Sequence, residues 1–256
     1  MKGPEELGEG LPDIGSFAFD VRAKTAANFR DENSTLIEET LSELNRLYAT
    51  VIFCVILGCD ISSSPRFNAF ALFLRSLESL VSALHLASHR QAIEALTVMR
   101  LSLESAAAAA DICMNYDAFV NYENSKYNST DSTKFAKKIV PIYGKLWGMI
   151  SNVAVHVNLL HGPTREPSGE DNGMDAAIKV FVAEKKAPSG QDERLLTLIS
   201  LVSNINLRLF EEVLFKKGMI DGSWLRVPGT AYAYVDPTDK LIAKYYDRFV
   251  ELPEIY

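Results

Sequence analysis

Apolar residues recur at three- and four-residue spacing along most of the chain, which is the pattern of helices with one buried face. The clearest run starts at Ser34. Its predicted buried stripe consists of Ile37, Leu41, Leu44, Tyr48, Val51 and Val55. Further runs of this kind predict helices over residues 66–86, 90–115, 143–160 and 195–217. A shorter helix is predicted after Pro237.

Strand patterns and nucleotide-binding motifs are missing from the sequence. No series of alternating segments joined by hairpin turns occurs, and no glycine-rich phosphate loop follows an apolar run. The pattern therefore predicts an all-α protein, a single-domain bundle of about five to seven helices with an irregular aromatic C-terminal tail. We expect a flexible lead-in at residues 1–15, one helical domain over 16–256, and a mobile loop at 162–174.

Composition and charge narrow the class of protein. With 48% apolar residues among 256, the chain can bury a sizeable core. The net charge of -7 argues against a surface that coats nucleic acid, although lysine pairs such as Lys137-Lys138 leave a local RNA-facing rim open. No basic leader is present, and the apolar run at 47–59 is shorter than the roughly 20 residues of a membrane span. We expect a cytoplasmic protein without a membrane partner.

Three cysteines, Cys54, Cys59 and Cys113, lie in or beside apolar helical runs. Their sparse, odd number and their spacing match neither a disulfide framework nor a zinc site, which predicts buried thiols in a reducing compartment.

One charged pair interrupts the most apolar predicted helix. In VMRLSLESAAAAAD, Arg100 and Glu104 lie four residues apart, beside a stripe that must be core. Glutamate before arginine is the better order for a bridge within a helix, and here the order is reversed. The pair is therefore expected to reach another helix, either as a structural ion-pair network or as part of a ligand or catalytic site. We expect the helix that carries His156 to be that neighbour.

Four histidines are the other candidate groups. Asn152 and His156 lie four apart on one helix face, and His156 is either a hydrogen-bonded core residue or a general acid or base. His161 precedes a Gly-Pro pair, as a helix-terminal residue or a binding group. His85 and His89 have the spacing of a metal clip, with Glu78 as a third ligand, but they also lie at an expected helix junction. We expect no bound metal and no other cofactor.

The run HRQAIEALTVMRLSLESAAAAADI, followed later by NVAVHVNLLHG, resembles segments of uncharacterised bacterial helical-bundle proteins that look distantly HEPN-like. The resemblance covers residues 66–161. It implies a helical bundle that self-associates, in a superfamily that includes RNA-cleaving toxins and phage-defence components. The HEPN ribonuclease signature places an arginine four to six residues before a histidine, and no histidine of this chain has one within the preceding seven positions.

Two functions follow from these observations. The first is a helical interaction or sensing module of a bacterial defence or stress system that is not clearly catalytic, because the catalytic signature is missing and the net charge is acidic. This module is expected to form homo-oligomers. The second is an HEPN-like ribonuclease or nucleotide-handling protein. Its catalytic residues would be Arg100, Glu104 and His156, with Asn152 and His161 as binding residues.

Overall fold

A computed structural model describes residues 20, 22–56, 63–155, 190–216 and 238–252. These residues are almost entirely helical and include no strand, which confirms the all-α prediction. The helices in this part of the chain are α1 (Arg22–Glu32), α2 (Ser34–Ile56), α3 (Ser64–Ser88), α4 (Ala92–Met114), α5 (Tyr116–Glu123), α6 (Ser129–Ile139), α7 (Tyr143–Val155), α8 (Gln191–Lys216) and α9 (Thr238–Glu251).

Nine helices within the described ranges exceed the predicted five to seven. The difference lies mainly between residues 115 and 139, because the polar stretch 115–132 predicts a loop or a short helix and two helices begin there. Two asparagine caps start separate helices there. The side chain of Asn115 accepts a hydrogen bond from the Asp117 amide at 3.1 Å, and that of Asn128 accepts one from the Thr130 amide at 2.9 Å. α1, before Ser34, is the other helix that the periodicity did not predict.

Several predicted segments lie outside the described residues: the lead-in at 1–15, the loop at 162–174, and most of the C-terminal tail. The helix after Pro237 is confirmed as α9, which is 14 residues long. Proline cannot continue a helix, and Pro141 lies in the break between α6, which ends at Ile139, and α7, which begins at Tyr143.

α4 is the central helix of the described bundle. It packs against α3, α6, α7 and α8. The stripe beside Arg100 and Glu104 is completely buried, as predicted, with zero exposure at Met99, Leu103, Ala106 and Ala110. Small alanine side chains allow the neighbouring backbones to come close, so α4 fills the middle of the core without needing bulky side chains.

α3 and α4 form an antiparallel hairpin joined by a tight turn. Arg90 adopts a left-handed conformation with φ 54°, and the amides of Arg90 and Gln91 bond the carbonyls of Ala87 and Leu86 at 2.8 and 3.0 Å. This pattern is a Schellman motif, which usually places glycine at the left-handed position. The Arg90 guanidinium forms ion pairs with Glu32 and Asp192, which offset the strain of the left-handed conformation.

The predicted buried stripe of α2 is wrong at two positions. Leu41 is 42% exposed and Tyr48 is 51% exposed. The buried positions of α2 are instead Thr40, Leu44, Leu47 and Val51. α2 is rotated relative to the predicted orientation, so that Thr40 faces α8. There Thr40 Oγ1 donates to the Leu196 carbonyl at 3.3 Å.

A polar seam joins α2, α8 and α9. Asn204 donates to the Glu43 carboxylate at 3.1 Å, and Tyr245 donates to Glu43 at 3.0 Å and to Glu39 at 3.1 Å. Arg248 also bonds Glu39, at 2.9 Å. Burial disfavours the Glu39 carboxylate, but hydrogen bonds led by Lys244 and Arg248 outweigh it and lower its pKa. The seam therefore holds α9 against the bundle through charged groups as well as apolar contacts.

Candidate functional site

Arg100 and Glu104 meet a tryptophan from α7. Arg100 Nε lies 3.0 Å from Glu104 Oε1, and Trp147 Nε1 donates to the same oxygen at 3.1 Å. The guanidinium carbon of Arg100 stands 5.2 Å from the centre of the Trp147 ring. The two charged side chains are 25% and 23% exposed, so the pair is partly buried.

The reversed order of Arg100 and Glu104 predicted that the pair would reach a partner on another helix. Arg100 and Glu104 do bond each other within α4, and they also share a partner on another helix. That partner lies on α7, the helix predicted to lead to His156, but it is Trp147, which the sequence did not single out. An aromatic residue in an apolar helix normally indicates core packing, so no spacing signal marked its indole N–H as a hydrogen-bond donor.

Tyr143, one turn before Trp147 on α7, is completely buried. Its hydroxyl donates to the Leu103 carbonyl at 2.9 Å. Burial, followed by the negative charge of Glu104, raises the pKa of Tyr143, so the phenol stays protonated. Tyr143 and Trp147 of α7 thus donate to the Leu103 carbonyl and to the Glu104 carboxylate of α4, an arrangement suited to joining the two helices.

The remaining residues of the predicted catalytic and binding set are separated from this cluster or lie outside the description. Asn152 is exposed on α7. It follows Trp147 by five positions, which places it about 140° around the helix axis. His156 and His161 lie outside the described residues. Within the described part of the chain, the structure brings together Arg100 and Glu104 only.

His85 and His89 lie at the end of the α3–α4 hairpin. Their rings make an edge-to-face contact with centres 4.6 Å apart, and His89 Nδ1 lies 3.1 Å from the Arg22 carbonyl oxygen. Burial, followed by the charge of His85, lowers the pKa of His89. In the described ranges, no group of three or more His, Cys, Asp or Glu side chains is arranged to hold a metal ion.

Two buried polar contacts were also missed by the sequence reading. Asn206 Nδ2 donates to Ser102 Oγ at 2.8 Å, and Ser102 donates to the Ser76 carbonyl at 2.8 Å, which links α8, α4 and α3. Tyr127 donates to the Asp111 carboxylate at 3.0 Å. Burial raises the pKa of Asp111, and the Tyr127 bond offsets part of that effect. These contacts specify how the helices pack.

α3 presents an apolar stripe to solvent, which we call the outer face of α3. Phe67 is 58% exposed and Val81 is 54% exposed. Ala71 and His85 are also exposed, and Leu74 is partly buried. The whole stripe consists of Phe67, Ala71, Leu74, Glu78, Val81 and His85. The successive spacings are four, three, four, three and four residues, the spacing of a coiled-coil seam.

Charge on this face is confined to its middle. Arg75 and Glu78 lie 3.7 Å apart, with side chains 60% and 69% exposed. α3 is also the one helix in the described ranges that is long and apolar enough to cross a membrane, which is weak evidence on its own. Only 39% of its most apolar window is buried, so this helix carries apolar surface beyond what the bundle covers.

No protein-family model matches this chain, and neither a curated protein nor a solved structure matches it significantly.

Proposed function

We propose that this protein is a helical interaction module that acts by binding, with the outer face of α3 as its binding surface. The observation that carries the proposal is the row of Phe67, Ala71, Leu74 and Val81 along one exposed face. Single exposed apolar residues are common on soluble proteins. An exposed apolar row of this length, interrupted here only by Glu78, supports a surface that receives another helix.

The charged groups near α4 favour the same conclusion. Glu104 Oε1 already accepts hydrogen bonds from Arg100 and Trp147, and the Arg100 guanidinium lies over the indole ring. A catalytic carboxylate or guanidinium must be able to reach the reacting atoms of a substrate. Here each group has a protein partner that joins α4 to α7, which supports a structural role.

In-cell photo-crosslinking tests the proposal. A photoreactive residue at Ala71, on the outer face of α3, is compared with one at Ala243, an exposed alanine on α9. We expect ultraviolet light to give a discrete protein adduct from position 71 and none from position 243. If neither position gives an adduct, or both give the same ones, the outer face of α3 is not a specific binding surface.

The second candidate is an HEPN-like ribonuclease or nucleotide-handling protein using Arg100, Glu104 and His156. The observation in its favour is that Arg100 and Glu104 keep about a quarter of their side-chain surface in contact with solvent. A role in bacterial defence or stress is supported by the resemblance of residues 66–161 to proteins that look distantly HEPN-like. If this candidate is correct, purified protein should cleave RNA, and Arg100→Ala and His156→Ala should abolish cleavage. Asn152 is exposed on α7, and Asn152→Ala tests its predicted role in binding. Intact RNA after incubation with the wild-type protein contradicts this candidate.

A further inference from the structure

We infer that the outer face of α3 binds the same face of a second copy of this chain, with the two α3 helices antiparallel. The inference rests on the proposed function, since it names the partner of that binding surface. It would be a two-fold symmetric contact, in which every contact between the two copies occurs twice.

The stripe lies on the side of α3 that faces away from the bundle, at a spacing that suits a helical partner. Alternating steps of three and four residues give a mean repeat of about 3.5, which keeps a seam in contact with a second helix over several turns. The buried positions of α3 toward the bundle, which include Phe73, Leu80 and Ala83, have the same spacing. What distinguishes the outer face is that its apolar side chains are exposed.

Residue sizes match in the antiparallel arrangement. A two-fold axis at the level of residue 76 sets Ala71 of one copy against Val81 of the other, so the smallest side chain of the stripe meets a branched one. The same axis sets Phe67 against His85, two rings, at each end of the contact. In the centre, Leu74 lies level with Glu78 of the other copy. In-register parallel helices would instead place Phe67 against Phe67.

Charge decides between the two orientations. A parallel pair would set Glu78 beside Glu78 of the second copy, which is repulsive. In the antiparallel pair, each Glu78 lies beside Leu74 and within reach of Arg75 of the other copy. In the single chain the two side chains pair with each other at 3.7 Å, and both remain more than half exposed, so each can also meet the other copy. One polar position in an otherwise apolar seam is a common means of fixing orientation.

Light scattering and sedimentation of the purified full-length chain provide the first test. We expect a species of twice 28.4 kDa that dissociates on dilution. Val81→Asp should raise the dissociation constant by about 100-fold, since two-fold symmetry buries two new carboxylates at about tenfold each. The control is Val250→Asp on α9, because Val250 is similarly exposed at 58%, and it should leave the dimer unchanged.

Thiol crosslinking tests the orientation. Ala71→Cys protein mixed with Val81→Cys protein should give a crosslinked heterodimer with a short bismaleimide, above the background from the native cysteines. Ala71→Cys alone should give little product, because the two copies of residue 71 lie far apart along antiparallel helices. Strong crosslinking of Ala71→Cys to itself would overturn the antiparallel arrangement.

A charge exchange tests the central pair. Arg75→Glu alone should weaken the dimer, and the double variant Arg75→Glu with Glu78→Arg should restore it. A chain that remains at 28.4 kDa at high concentration overturns the inference. If position 71 then still forms an adduct with a different protein, the proposed function stands and the second copy is the wrong partner. If it forms none, both are wrong.

Discussion

Glu211 provides the sharpest test of how the described helices are held together. It lies on α8 where the first turn of α9 packs, and the residue is 5% exposed. Thr238 Oγ1 donates to its carboxylate at 2.8 Å. Burial raises the pKa of Glu211 to about 7, and the Thr238 bond and the positive charge of Arg208 offset only part of that effect. The perturbation we consider is Glu211→Gln, which keeps an acceptor for Thr238 and removes the charge.

The folded-state pKa of Glu211 lies above its ordinary value of 4.5, so the folded protein binds more protons than the unfolded chain between these values. The stability that this residue contributes is therefore complete below about pH 4.5 and is lost as the pH rises through about 7. At about 1.4 kcal/mol per pKa unit, the loss amounts to about 3 kcal/mol. Rearrangement and water entry would make the measured value smaller.

The assay is chemical denaturation of wild-type and Glu211→Gln protein at a series of pH values from 5 to 8.5. We expect similar free energies of unfolding at the acid end and a glutamine variant that is more stable by up to about 3 kcal/mol above pH 7. Asp247→Asn on the exposed side of α9 removes the same charge and should show no such divergence. If the Glu211→Gln and wild-type curves run parallel across this range, the burial argument for Glu211 is refuted.

Three further predictions concern single contacts and are measured by the same denaturation assay. Trp147→Phe removes the indole donor to Glu104 and should lower the free energy of unfolding by about 1–2 kcal/mol, whereas an unchanged value would mean that water replaces the bond fully. Ser125→Gly should raise it by about 0.5–1 kcal/mol, because Ser125 has φ 56° after α5; a decrease would contradict the strain argument. Tyr127→Phe leaves the buried Asp111 carboxylate without that donor, so it should lower stability by about 1–3 kcal/mol and more at pH 7 than at pH 4. Equal losses at both pH values would show that Asp111 is not ionised in the folded protein.

The periodicity predicted the long helices well because burial on one face of a helix is a local property of the sequence. The helix predicted over 90–115 is α4, and its core stripe beside Arg100 is completely buried. The rotation of α2 could not be predicted in this way. Leu41 and Tyr48 fit an apolar stripe, but Thr40 faces α8 because it finds the Leu196 carbonyl there, and that contact joins residues 156 positions apart.

The candidate site shows the same limit. The sequence indicated that Arg100 and Glu104 needed a partner on a neighbouring helix, and the geometry supplies one from α7. The identity of that partner depends on which side chain of α7 lies level with Glu104. An indole N–H offers one donor on a large apolar ring, so Trp147 satisfies the carboxylate and covers the guanidinium at once.

The distribution of polarity in the described helices connects these observations to binding. α8 carries buried polar side chains such as Ser200, Ser203 and Asn206 in the interior, whereas α3 carries Phe67 and Val81 on the outside. Each interior group named here bonds a neighbouring helix, so polar contacts help to set the register of the bundle. Phe67 and Val81 are exposed and have no such role within the described bundle. Because hydrophobic periodicity reports that a face will be buried without saying by which chain, the exposed apolar side chains on the outer face of α3 support our proposal that a second helix buries them.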